Sequence, residues 1–295
     1  MKFGWFPEQQ TYEACTISIQ MLPEFADSLK AVRESGHVHD DWYCVPIQAT
    51  DGSSGESCPP IPLPWFSLPA THLIEHRRGT APTELFEFLI TVFGWSQGLR
   101  FAPEGWGHFY RVALKPGMLV DFILFEQNVP RLLDLAEAFW HQHQADGMAS
   151  MMFGAIHWFL FSQSYVQYFE RFMMQYIVLD TIYKIWLSIS SPKLKRCVHA
   201  ERVKCLAESL NVPLPSWGEV DSSKQTEISR LRNALFHEAR FGGAPIGFAF
   251  PAMQGNILVQ LRGFNCRLIA ALLGAAGEYS RSSSQTRHKR LFSID

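Results

Sequence analysis

Two rhythms of apolar residues divide the chain. Up to about residue 125 the pattern is short-period and often interrupted. ACTISIQM (14–21) alternates apolar and polar positions as a half-buried strand does. DWYCVPIQA (41–49), THLIEHR (71–77) and HFYRVAL (108–114) read as further strands, the first of them cut by Pro46. DGSSGESCPPIPLPW (51–65), rich in Ser, Gly and then Pro, reads as a loop. Among these segments, TELFEFLITVFGWSQGLR (83–100) sets Leu85, Phe88, Leu89, Val92 and Phe93 at helical spacing, with Thr83 as a candidate N-cap. Residues 1–125 are therefore expected to form an α+β part.

After about residue 126 the period lengthens to that of a helix. Helices are predicted over 129–145, 149–166, 168–189, 198–210, 223–240 and 256–279. In the third, Phe169, Phe172, Tyr176, Tyr183 and Trp186 make one broad apolar face. Gly147, SSPK (190–193), NVPLPSWG (211–218) and FGGAPIG (241–247) punctuate the series. Such lengths and short connections suit an all-α antiparallel bundle over 126–295. No internal repeat and no heptad pattern is present.

The helix at 223–240 carries more polarity than its role requires. Leu231, Leu235 and Ala239 fall within about 80° of one another on a helical projection and form a narrow stripe for the core. Asn233 and His237 lie about 160° from Leu235, on the opposite side, and as i,i+4 neighbours their side chains can touch. The projection sets Arg230 beside His237 and Arg232 at the flank of the buried stripe. A solvated outer face is the plain reading; a proton-transfer group beside a fixed cation is the sharper one.

Composition narrows the classes. Of 295 residues 47% are hydrophobic, and 23 Phe and 9 Trp are too many for a disordered chain. The net charge of −2 supplies no global field for nucleic acid, so any anion must find a local patch. The six cysteines contain no C-x-x-C pair, and reduced thiols in a cytoplasmic protein are expected. The N-terminus lacks the apolar run of a signal peptide. GMASMMFGAIHWFLFS (147–162) is too short to span a bilayer and is expected to be a core helix, with no membrane partner.

LRNALFHEA (231–239) resembles the R-x4-H motif of HEPN domains, in which a polar residue commonly follows the Arg. Arg232, Asn233 and His237 match it position by position. The setting is also similar: a long aromatic helix, a shorter one, a Pro-Trp-Gly loop and a final amphipathic helix, over roughly residues 150–280. The resemblance implies a HEPN-like all-α bundle whose homodimer forms one composite ribonuclease site, without metal or cofactor. It further implies a prokaryotic anti-phage or toxin effector acting on RNA, its residues 1–125 sensing or docking a regulatory protein or phage-derived trigger. WGHFYR (106–111) is similar to partner domains of such proteins. A catalytically silent HEPN module that binds RNA or a partner protein is the alternative. Arg281 and His288 repeat a looser spacing in the polar tail, where no helix is predicted.

The chemistry fits those side chains. Metal-independent RNA cleavage uses the substrate's 2′-hydroxyl against the adjacent phosphorus, and needs a proton carrier and a cation. A histidine titrates near neutrality, which suits His237 to the first role. Arg232 stays charged and offers a forked donor to phosphate; Asn233 would orient the imidazole or bond a phosphate oxygen. The expected products carry 2′,3′-cyclic phosphate. For backbone contacts, KLKRCVHAERVK supplies Lys193, Lys195, Arg196, Arg202 and Lys204, with Arg230 beside the motif; a solvated helix start is the plain reading.

HLIEH (72–76) offers a distant third reading, a zinc hydrolase with His72 and His76 as ligands and Glu75 as base, provided the segment is mid-helix. A short strand fits it no worse. HVHDD (37–41) reads as a polar turn, HQH (141–143) as a helix end, and RSSSQTRHKR (281–290) as a flexible basic end. There is no P-loop, G-x-G-x-x-G or G-x-S-x-G.

Overall fold

The computed structural model describes residues 1–44, 65–165, 167–190, 197–246, 256–285 and 290–294. The chain folds as a mixture of α and β structure. Its helices are α1 (Phe25–Arg33), α2 (Thr83–Gln97), α3 (Asn128–His143), α4 (Met148–Phe161), α5 (Tyr168–Ile189), α6 (Arg202–Ser209), α7 (Glu227–Glu238) and α8 (Ile257–Leu272).

The main sheet is antiparallel, in the order Tyr12–Glu13, Ile17–Met21, His72–His76, Lys2–Gly4, Ala102–Pro103. Ile19 faces Ile74 across the ladder, and both are fully buried with Ile17. Alternation thus presents one apolar face to α2. Phe93 of α2 meets Phe3, Phe6 and Tyr12 edge-on. The DWYC segment forms a hairpin with Val38–His39; its two-residue turn, Asp40 and Asp41, takes positive φ at both positions, as tight hairpins require. HVHDD is thus the expected turn with one short strand. The remainder of the strand read at 41–49, and the loop at 51–64, lie outside the described residues.

Two short-range expectations change. Thr83 is the first residue of α2 rather than its cap; Pro82 holds the N-cap position and no side chain caps the end. At the other end Gly98 takes φ +60, and a Cβ there would lie 2.8 Å from the Gly117 backbone, so the stop is built into the packing. HFYRVAL is broken into His108–Phe109 and Arg111–Ala113 by Tyr110 at φ +59.

In the second half, α5 is flanked by α4 and α8. Its start is fixed by a capping box, Gln167 with Glu170. One buried apolar cluster extends from Phe3 to Ile294, so the change of rhythm near residue 126 coincides with no break in the core. Phe122–Leu124 pairs in parallel with Arg290–Phe292, drawing the C-terminal segment back onto the first half. The flexible end read at 281–290 is corrected in part. Ser282 and Ser284 are buried, because Arg267 of α8 donates to the Ser282 and Ser283 carbonyls.

Cys197 and Cys205 are joined by a disulfide, against the expectation of reduced thiols. Their separation of eight residues matches no metal or redox motif, and only the fold of the segment before α6 brings them together. Among the described residues no helix is long and apolar enough to cross a membrane.

Candidate active site

α7 is shorter than its periodicity suggested. Thr226 accepts from the Ser229 backbone N–H at 3.2 Å and Ser229 Oγ accepts from the Thr226 N–H at 2.9 Å, a reciprocal cap that sets the first turn. Ala239 closes the helix in the left-handed conformation and therefore leaves the inner stripe. That stripe is Ile228 and Leu235, buried, with Leu231 half-buried against the core. Phe241, just past the end, packs on Phe172 of α5 at 5.3 Å between ring centroids.

The opposite face presents the three motif residues together. Asn233 and His237 are exposed and Arg232 is half-buried. Arg232 Nη1 donates to Asn233 Oδ1 at 3.0 Å and to His237 Nε2 at 3.1 Å. Its guanidinium lies 5.1 Å from the centre of the Phe236 ring, an exposed aromatic on the same turn. With Nε2 accepting, the neutral imidazole carries its proton on Nδ1.

The projection had set Arg230, not Arg232, beside His237, and the structure reverses this. Arg230 turns to the Asp221 carboxylate. That carboxyl is held well below the usual range by the Ser223 hydroxyl, then the Gln225 backbone N–H, then Arg230. A projection treats side chains as points at Cβ, whereas the Arg232 stem is long enough to cross Phe236 and reach a residue five positions on.

The other basic candidates sit apart from this trio. Arg202 is bound to Asp180 of α5 at 2.6 Å and stacks on Tyr183 at 4.7 Å. Lys204 stands 3.8 Å from Glu208 on the surface of α6. Lys193, Lys195 and Arg196 lie outside the described residues. Two neighbours were not signalled by the motif: Phe236, which underlies the guanidinium, and Tyr176 of α5. Burial, with Asp180, pushes the Tyr176 phenol up to about 12, and Arg232 and Arg202 oppose that shift. The aromatic spacing of α5 marked Tyr176 as core, and nothing in the sequence tied it to Arg232.

HLIEH forms the strand His72–His76, not a helix, and its zinc-ligand arrangement does not exist. His72 is fully buried among Phe3, Phe6 and Phe25, with Nδ1 3.1 Å from Thr71 Oγ1, and burial lowers its pKa to about 4. Glu75 points to the other face and is exposed, as strand alternation demands. His76 instead meets Glu137 Oε1 of α3 at 3.2 Å, and His141 approaches the same oxygen at 3.7 Å. They border a cleft of about 540 Å³ with Thr16, Arg78 and Asp134. Among the described residues no three His, Cys, Asp or Glu side chains are arranged to hold a metal ion.

Compared with protein-family models, curated proteins and solved structures, the chain matches none.

Proposed function

We propose that the chain is a HEPN-type, metal-independent endoribonuclease that works as a homodimer, its second half supplying the HEPN-like bundle. One observation carries the reading: Arg232 contacts both Asn233 and His237 on the solvent face of α7, with the apolar side of that helix spent on the core. Intrahelical contacts on a solvated face are worth only about 0.2–0.5 kcal/mol each, so the gathering of a guanidinium, an amide and an imidazole at one point supports a chemical role over a stabilising one.

Arg232 then binds a non-bridging phosphoryl oxygen and stabilises the charge that develops on it. Shifting the guanidinium to phosphate releases His237 Nε2 to take the proton of the attacking 2′-hydroxyl. The bond from that oxygen to phosphorus forms as the bond to the 5′-oxygen breaks. The leaving oxygen takes a proton, and the products are a 2′,3′-cyclic phosphate and a 5′-hydroxyl. Asn233 holds the guanidinium in register. A catalytically silent RNA-binding module is the alternative, favoured by the engagement of Nε2 with Arg232 in the single chain. The resemblance further implies a cytoplasmic prokaryotic defence or toxin role, in which the N-terminal part, with its cleft beside Glu137, receives a regulatory partner or phage-derived trigger.

One α7 exposes one imidazole, so a second is required if both proton steps use histidine. Two copies related by a two-fold axis through Asn233 and His237 provide it. Wild-type and His237→Ala chains, co-expressed at equal amounts, are expected to cleave RNA at about a quarter of the wild-type rate, since only pairs of intact chains keep the shared site. A rate of one half shows that each chain carries a whole site. No cleavage by wild type alone removes the nuclease reading itself.

A further inference from the structure

Three arginines converge on one turn, far from the motif in sequence, with a fourth, Arg100, held behind it by His108 and the Gly107 carbonyl. The turn is Ser162–Ser164 with Tyr165, between α4 and α5. Arg111 donates Nη2–H to the Gln163 carbonyl at 3.3 Å, and Arg262 of α8 donates to the Gln163 side-chain oxygen at 3.1 Å. Arg171, in the first turn of α5, donates Nε–H to the Tyr165 carbonyl at 2.7 Å. Arg100, just past α2, is only 8% exposed and lies 5.3 Å from the Phe161 ring.

Among the described residues none of the four is paired with a carboxylate. Glu170, the carboxylate next to Arg171, is occupied in capping α5 at the Gln167 N–H. Among the described residues the buried Nε–H groups of Arg100 and Arg111 have no acceptor. Burial lowers the pKa of Arg100 to about 10 and moves Arg111 downward, while Arg171 is lowered by burial and then by Arg111 and Arg262, against weaker opposition from Tyr168 and Glu170. Gathering like charges in partly dry surroundings opposes folding unless an anion offsets them.

The turn itself is held by buried hydrogen bonds. Gln175 and Gln163 both donate to Ser162 Oγ, and Asn265 donates to Gln175, all buried. His108 and His157 add no charge at neutral pH, because burial drives their pKa values down, that of His157 to about 4. Aromatic rings adjoin the cations: Arg111 stacks on Trp42 at 4.2 Å, and Tyr165 lies 6.2 Å from Tyr110, which is 51% exposed. Guanidinium forks match phosphate oxygens, and exposed rings stack on bases.

We propose that this turn is the floor of a phosphate-binding site, with Arg111, Arg171 and Arg262 as ligands and Arg100 behind them, that takes the phosphates of a nucleotide. The phosphates come from a free nucleotide or from a polynucleotide strand. The site shares no residue with Arg232, Asn233 and His237, so it stands or falls independently of the nuclease reading.

The test titrates wild type, Arg262→Gln and Arg111→Gln/Arg262→Gln with three probes: ATP, inorganic pyrophosphate and a DNA dodecamer, which lacks the 2′-hydroxyl. The single variant keeps a hydrogen-bonding group at the turn and guards against misfolding of the double. At least one probe is expected to bind wild type, at least tenfold more weakly to the double variant and intermediately to the single. Tight ATP binding identifies a free nucleotide; dodecamer binding that weakens steeply from 50 to 200 mM salt identifies a strand. Failure of all three probes to bind wild type, or equal binding to folded variants, overturns the proposal.

Discussion

His237→Ala is expected to lower RNA cleavage by about 10²–10⁴-fold, the usual contribution of a positioned acid–base group. The fold should not change with it. The side chain is exposed and opposite the Ile228 and Leu235 stripe, so truncation opens no cavity and costs under about 0.5 kcal/mol. Arg232→Ala should be equally inactive, since the guanidinium is the cation in contact with both Asn233 and His237. Arg230→Ala should keep wild-type activity, its partner being Asp221. Rates measured on protein with an unchanged melting midpoint decide the matter. An active Arg232→Ala beside an inactive Arg230→Ala would mean that the simple helical projection, not the observed contact, picks the cation.

The largest stability effect is expected far from that site. Arg267 is 1% exposed and donates to Asp121 Oδ2 at 2.9 Å, to the Gly263 carbonyl at 2.7 Å and to the Ser282 carbonyl at 2.8 Å. Tyr279 also donates to Asp121, and its own hydroxyl lies 3.1 Å from the guanidinium. Arg267→Ala leaves the Asp121 carboxylate in a largely dry site without its counter-ion, which costs about 3–5 kcal/mol. Removing Asp121 as well should cost less than the two single changes together, because no uncompensated charge remains. Urea denaturation of the three variants measures this. A loss under about 1 kcal/mol for Arg267→Ala would show that the pair is not what holds 282–284 against α8.

That pair also marks the limit of what the chain reveals by itself. Asp121 and Arg267 are 146 positions apart, and neither has a local pattern to announce it. The same holds for Arg111, Arg171 and Arg262 around Gln163 and Tyr165, drawn from a strand and two helices. By contrast α5 was legible to the residue from its broad apolar face, and the capping box of Gln167 with Glu170 that fixes its start came only with the structure. α1 escaped notice: it has nine residues, with only Phe25, Ser28 and Val32 buried, too short a run for a period to show. Lys2–Gly4 and Ala102–Pro103 are strands only because neighbours pair with them. The motif was visible as a string, but the crossing of Arg232 over Phe236 depends on side-chain length, which no periodicity encodes.

The central claim is that Arg232, Asn233 and His237 cut RNA through its own 2′-hydroxyl. The most direct measurement is cleavage, in EDTA, of an oligoribonucleotide and of its copy carrying one 2′-deoxy residue at the mapped cut. The account predicts that wild type cuts the first to leave a 2′,3′-cyclic phosphate and leaves the second intact at that position. Cutting of the 2′-deoxy copy at the same bond, or a product with a 3′-hydroxyl, would contradict it.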